Sequence, residues 1–412
     1  MSKQRGSERD ERTSFLERRS RRDVLKAAGV TGLTALAGCT GGGGSGGGGG
    51  GSGTNAGGGG SGSTSSGGTS AGSTSAGGAQ TSSGAQTSSG GNTSGGGGAS
   101  TADSITIFHA GSLSPPFETA AAQFKKQTGI QVTQEATGSV ESTKKITAQG
   151  RSADVLGVSD YRLIRDELLP KFGDWYAIFA TNAMTLAYTK DSTGASEIGP
   201  DNWWEILARD DVRFAHSDPA ADPNGYRSVM AMQLGMMDFQ GKSLYGKDTY
   251  NTLRDKEIIP TGTETALIGQ LQSGTIDYAW EYQSVKATED VQTVDLQPQV
   301  DLSRATPKFA RFYANAKVEV EGETYTGAPI AYGITVPSVA EAPQAGAKFV
   351  AFMTGDAGDT IMKNAGFSPV NPAVVPKSAK NAVPQPVMKH ATAKGSLGPL
   401  ELDIGRRQMP LP

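Results

Sequence analysis

Residues 107-IFHAGSLSPPFETAAAQF-124 carry an apolar run into His109-Ala110-Gly111-Ser112 and then, one residue after Leu113, meet two consecutive prolines. Ser104-Ile105-Thr106-Ile107-Phe108 alternates as a strand does, and Phe117, Ala120, Ala121 and Phe124 share one face at helical spacing. Pro115 and Pro116 therefore stand where a helix begins, with Ser114 as the expected N-cap. Proline loses nothing there, because the first helical N–H groups have no intrahelical partner. In open α/β sheets, ligands bind at the carboxyl ends of strands, beside the positive ends of helix dipoles. An anion at this turn must be held by the Ser112 hydroxyl and by the amides of Ser112, Leu113 or Ser114, and Gly111 lets the backbone come close to it.

The unit recurs. Residues 130–135 read as the next strand, and 135-EATGSVES-142 again runs from strand through Gly138-Ser139 into a helix expected over 141–149. Two Gly-Ser turns at the same end of neighbouring strands can converge on one small oxyanion. Residues 154–158 form a short buried strand, and the rhythm returns with a strand at 213–216, a helix at 225–237 and a strand at 276–280. This alternation predicts α/β architecture with parallel sheets, helices on their faces, and two lobes. No repeat of solenoid length is evident.

The first hundred residues stand apart. Ser20-Arg21-Arg22-Asp23-Val24-Leu25-Lys26 has the form of a twin-arginine export signal, and the apolar run from Ala27 to Ala37 is too short for a permanent span. That run ends in Leu36-Ala37-Gly38-Cys39, which resembles the lipobox of exported lipoproteins, with Cys39 as the lipidated residue. Cys39 is the only cysteine, so no disulfide can form within the chain. Residues 40–101 are uncharged and almost wholly Gly, Ser, Thr and Ala; these 62 residues are expected to be a disordered tether. Its root-mean-square span as a coil is about 40 to 50 Å. Asn92-Thr93-Ser94 within it is a glycosylation sequon.

Residues 1–39 hold nine of the 38 basic and five of the 41 acidic residues, leaving a net charge of −7 on the rest. Such a body is unsuited to binding nucleic acid by phosphate neutralisation, and an anionic ligand would have to be held by local donors.

FHAGSL, EATGSV, 153-ADVLGVSDY-161, 217-SDPAADPNGYRS-228 and 277-DYAWEYQSV-285 together resemble the archaeal-type molybdate/tungstate-binding proteins of ABC transporters, the tungstate-binding and ModA-like branch. The resemblance spans nearly all of 104–375. It implies a two-lobed type II periplasmic-binding-protein fold with the ligand in the cleft: lobe one at 103–187 plus 327–380, lobe two at 188–326, crossovers over 182–189 and 326–336, and a C-terminal extension at 381–412. It also implies that Ser112 and Ser139 hydrogen-bond the oxyanion and that Asp222 and Glu281 bond its metal. Amide donors are expected around Asn224 and Thr265. Asn224 departs from related sequences, which often have cysteine there; a backbone contact tolerates that change. The implied protein is no enzyme, needs no cofactor, is a monomer, and is anchored by lipid to the outer face of the membrane, where it meets an ABC permease.

Other readings of these residues stay open. Asp218 also precedes a proline and competes with Asp222 as the ligand. Sulfate or phosphate binding fits the same fold, since a carboxylate can accept a hydrogen from a protonated ligand. Asp222 and Glu281 could also serve an exported hydrolase as an acid/base pair, although no aromatic sugar platform accompanies them. His109, His216 and His390 are scattered and match no zinc or iron spacing. Trp203 and Trp204 read as packing of a short helix, and Met230, Met232, Met236 and Met237 as adaptable core.

Overall fold

The computed structural model describes residues 102–259 and 263–401. The export signal, Cys39 and the 40–101 tether lie outside the described residues, as do 402–412. Strands β1 (Ser104–Ala110), β2 (Gln131–Thr137), β3 (Val155–Val158) and β4 (Ala177–Thr181) come first. They are followed by β5 (Met184–Tyr188), β6 (Phe214–Ala215), β7 (Tyr278–Tyr282) and β8 (Gln292–Val294). A hairpin of β9 (Lys317–Val320) and β10 (Glu323–Thr326) precedes β11 (Ala331–Thr335), β12 (Ser368–Pro376) and β13 (Ala391–Lys394).

The larger sheet has the order β13-β12-β4-β11-β3-β1-β2 and the smaller the order β6-β7-β5-β8. These are the sheets of two α/β lobes. They are mixed, where the alternation of elements predicted parallel ones. Among the strands described, parallel pairing joins β1 with β2 and β3, β12 with β13, and β6 with β7, beside one isolated parallel bridge of Ala215 with Ile258. The physical reason is the return of the chain: β11 comes back from the second lobe and inserts antiparallel between β3 and β4.

β4 belongs to the large sheet and β5 to the small one, so the chain crosses at Asn182-Ala183, at the start of the crossover expected over 182–189. It returns between β10 and β11, over 327–330. The expected extension from 381 is joined to the large sheet as far as it is described. There β13 runs parallel to β12, and Val387 and Leu397 are buried.

The helix Ser114–Thr128 packs its apolar face inward: Phe117, Ala120 and Phe124 are buried, while Ala121 is half-buried. Phe117 and Phe124 both meet Phe349 edge-on, at 5.6 and 5.3 Å between ring centroids. Burying each phenyl ring contributes about 1.5 to 3 kcal/mol. In lobe two, Trp203 is fully buried and packs edge-on against Trp280 at 5.4 Å; Met230 and Met232 are buried in the same core. Register then sets the site. Ala110 pairs with Thr137 and His109 with Gly157, so the chain leaves β1, β2 and β3 at one end of the sheet, and both Gly-Ser turns lie side by side.

Candidate functional site

Gly111–Leu113 is a single 3-10 turn that runs straight into the helix beginning at Ser114. Ser114 is the first helical residue and not the N-cap; Leu113 holds that position, and no side chain caps the helix. A side-chain cap has nothing to accept here, because the next two residues, Pro115 and Pro116, carry no N–H, and the Ser114 N–H already donates to the Gly111 carbonyl. Ser112 Oγ lies 3.1 Å from the Tyr332 hydroxyl. In the second turn, Gly138 precedes the helix Ser139–Thr147, and Ser139 is fully buried. Ser139 Oγ accepts the Ser159 N–H at 2.9 Å and pairs with Ser159 Oγ at 3.0 Å. Ser159 follows β3, so all three parallel strand ends contribute to one surface.

Lobe two faces this surface with the helix Pro223–Met236, whose N-cap is Asp222. Asp222 Oδ1 accepts the Asn224 N–H at 3.3 Å, so the amide expected to meet an anion is turned to the cap. Asp222 is fully buried, and its Oδ2 and the Asn224 Nδ2 have no partner. Glu281 lies on β7, 3% exposed, with Oε1 unpartnered. Thr265 is exposed and its hydroxyl pairs with Thr263 at 2.8 Å, yet its γ-methyl sits 3.0 Å from where a Cβ on Gly111 would stand. A Cβ on Gly138 would fall within 3.0 Å of the Ala221 carbonyl and 3.0 Å from Asp222 Cβ. Both Gly-Ser turns of lobe one are thus pressed against lobe two, and the six expected site residues line the two sides of one junction. Asp218 instead closes its own loop, its carboxylate accepting the Ala220 N–H at 2.9 Å.

A third acid joins them. Glu264 begins the helix Glu264–Gln272, is 2% exposed, and accepts the Ser112 N–H through Oε1 at 2.8 Å. Its Oε2 and the Oδ2 of Asp222 are both acceptors when ionised, and neither has a donor. Burial first, and then the neighbouring carboxylates of Asp222 and Glu281, push the Glu264 carboxyl well above the usual range. Burial and the Asp222 charge do the same to Glu281. The expectation at this segment concerned amides around Thr265, the next residue along, and not this carboxyl. An acid at the first position of a helix is an ordinary dipole contact, and nothing local told it from a ligand.

Behind the acids stands Arg227, 2% exposed, on the same helix as Asn224. It donates to the Ser159 carbonyl at 3.0 Å and to the Tyr282 hydroxyl at 2.8 Å, and lies 3.3 Å from Asp160. Tyr226 also donates to Asp160, at 2.8 Å. Burial alone would raise the Asp160 pKa, but Arg162 and Arg227 hold it well below the usual carboxylate range. These bonds tie lobe two to the β3 end of lobe one.

A cavity of about 270 Å³ opens beside the junction, lined by Ser112, Glu264, Thr265, Glu281, Tyr282 and Ser284 among others. A larger one, about 850 Å³, lies away from the Gly-Ser turns, between Arg162 and the β9–β10 hairpin. It mixes both signs of charge and neither Gly-Ser turn lines it, whereas Ser112, Thr265 and Glu281 all line the smaller cavity. Among the described residues, no group of three or more His, Cys, Asp or Glu is arranged to hold a bare metal ion. The same residues include no helix long and apolar enough to cross a membrane.

Residues 105–368 match the family model of bacterial extracellular solute-binding proteins. The chain belongs to that family. Its relatives include the molybdate/tungstate-binding protein WtpA of Pyrococcus abyssi, 36% identical over 291 residues, covering 63% of this chain and 82% of that one. The WtpA of Thermococcus kodakarensis is 34% identical over 316 residues, covering 68% and 87%. Among solved structures, the periplasmic molybdate-binding protein of Azotobacter vinelandii matches at 18% identity and a TM-score of 0.43, covering 64% and 98%. Membership places the chain among solute carriers for transport and sets the hydrolase reading aside.

Proposed function

We propose that this protein captures tungstate or molybdate outside the cell and delivers it to an ABC permease. The observation that carries the reading is the convergence of Asp222 and Glu281 on the two Gly-Ser turns, both acids buried and each with an unpartnered oxygen. When ionised, carboxylates this close would repel a sulfate dianion by several kcal/mol at an effective dielectric of about 20, as Asp222 already disfavours the charge on buried Glu281. Tungsten and molybdenum are large Lewis-acidic centres that accept further oxygen ligands. Asp222 and Glu281 bond the metal of the oxyanion, and repulsion becomes coordination. The 34 to 36% identity to two WtpA proteins supports the same ligand.

Ser112 and Ser139 donate to the oxo groups. Ser139 Oγ accepts the Ser159 N–H, and with Ser159 Oγ donating to it as well, the Ser139 hydroxyl hydrogen is the one given to the anion. Amides around Thr265 complete the cradle, while the Asn224 amide stays with Asp222 Oδ1 at the helix cap. Cys39 carries the lipid and residues 40–101 tether a monomeric binder to the outer face of the membrane. Two acyl chains are expected, because one chain anchors only marginally.

Thermal-shift measurements with tungstate, molybdate, sulfate and phosphate test the ligand. A ligand at a hundred times its Kd stabilises the native state by about 2.7 kcal/mol, several degrees in Tm. Tungstate and molybdate should give the shift. A shift with sulfate or phosphate alone overturns the proposal.

A further inference from the structure

The Ser112 N–H points to the place where an oxyanion's oxygen would be received, and a protein oxygen already sits there. Glu264 Oε1 accepts this N–H at 2.8 Å, across the junction between the lobes. The contact is tight. Glu264 Oε1 and its carboxyl carbon stand 3.1 and 3.2 Å from where a Cβ on Gly111 would be, so the helix start is pressed onto the turn and covers its amide. Glu264 is also wedged beside Asp222 and Glu281, which share its surroundings. A single amide hydrogen cannot serve Glu264 and an incoming anion at full strength, because its bond is directional and short.

We infer that Glu264 is a resident competitor for the oxyanion's amide donor, an internal stand-in for a ligand oxygen that every captured anion must displace from Ser112. The inference rests on the oxyanion reading of the site. Displacement costs the same whatever the anion, so it leaves the ratio between two anions unchanged and sets a threshold instead. A weakly held anion that offers only hydrogen bonds falls below useful occupancy. An anion that also bonds Asp222 and Glu281 through its metal gains enough to remain above it. The same bond links lobe one to lobe two, so its exchange for an anion keeps the lobes bridged: the anion takes over a contact that Glu264 supplies.

Calorimetric titration of the full chain with tungstate, and separately with sulfate, tests this. Glu264→Ala frees the amide and should tighten tungstate binding by about tenfold, the value of one hydrogen bond to a charged partner. Sulfate binding should tighten in the same proportion. Glu264→Gln keeps an oxygen at the same reach for Ser112 and a donor for Asp222, so it should stay closer to the wild type than to Glu264→Ala. Unchanged or weaker tungstate binding in Glu264→Ala overturns the inference, as does a Gln variant that matches Ala. A second measurement needs no variant: a crystal structure of the wild-type chain soaked with tungstate should show the Ser112 N–H on an anion oxygen and Glu264 turned away. Glu264 still accepting from Ser112 in that structure also overturns it. If the wild-type chain binds neither tungstate nor molybdate, the functional reading fails first and takes this inference with it; if it binds them and the Ala variant shows no gain, only the inference fails.

Discussion

Gly138 has φ −60° and ψ 148°, a conformation open to any residue, so its lack of a side chain serves space and not backbone freedom. That space lies between the lobes. A Cβ there would stand inside 3.0 Å of the Ala221 carbonyl, closer than real Cβ atoms come, and 3.0 Å from Asp222 Cβ. In Gly138→Ala, either the Ala221-Asp222 loop or the whole of lobe two must retreat. Overpacking a tight contact costs about 1 to 3 kcal/mol. The strain exists only while the lobes meet. It is therefore relieved by opening and should appear in ligand affinity far more than in the stability of either lobe. Tungstate affinity should fall about fivefold to 150-fold, the same energy expressed as a ratio. Titration calorimetry gives the affinity, and urea unfolding of the ligand-free chain gives the stability. Wild-type affinity in Gly138→Ala would refute the claim that these two loops close on each other around the ligand. An equal loss of stability would place the contact in the folded core and not in a closing junction.

Ser112→Ala and Ser139→Ala should each weaken tungstate binding by roughly tenfold to a hundredfold, from about 1.5 to 3 kcal/mol per donor to a charged group, as read by titration calorimetry. Ser139→Ala should also lower Tm, because it strips the Ser159 N–H of its acceptor. Burial pushes the Glu167 carboxyl up to about 7. A raised native pKa means stability that is complete below the unfolded value, near 4.5, and lost as pH climbs through 7. Glu167→Gln should accordingly raise Tm at about pH 8 and leave it nearly unchanged at about pH 4, a comparison made by calorimetric scans at the two pH values. Cys39→Ala should release the protein from membranes into the medium, which fractionation and blotting would detect; retention at the membrane counts against the lipid anchor.

What was legible in the sequence is what local rules govern. The alternation of β1 and the spacing of Phe117, Ala120 and Phe124 gave the strand, the helix and its buried face, and the paired Gly-Ser turns were placed side by side before their register was known. Long-range pairing was hidden. The antiparallel insertion of β11 and the addition of β13 depend on partners far along the chain, and neither segment differs in composition from a strand in a parallel sheet. The expected Ser114 cap does not form, because the two prolines after it carry no N–H for its hydroxyl to accept. Glu264 was missed for the same reason of distance: its bond to Ser112 spans 152 residues, and no spacing rule reaches that far. Asn224 was expected to offer its amide to the anion, but a carboxylate two residues earlier takes it at the helix start.

The central claim is that carboxylates of the protein enter the coordination shell of the captured metal. X-ray absorption at the tungsten edge, on the wild-type chain loaded with tungstate and on the Asp222→Asn, Glu281→Gln double variant, tests it most directly. The account predicts more than four oxygen neighbours around tungsten in the wild type, approaching an octahedron, with a return to four and a weaker complex in the double variant. Four-coordinate tungsten in the wild-type protein, with undiminished affinity in the double variant, would contradict it and leave Asp222 and Glu281 as loop and strand residues beside an ordinary oxyanion cradle.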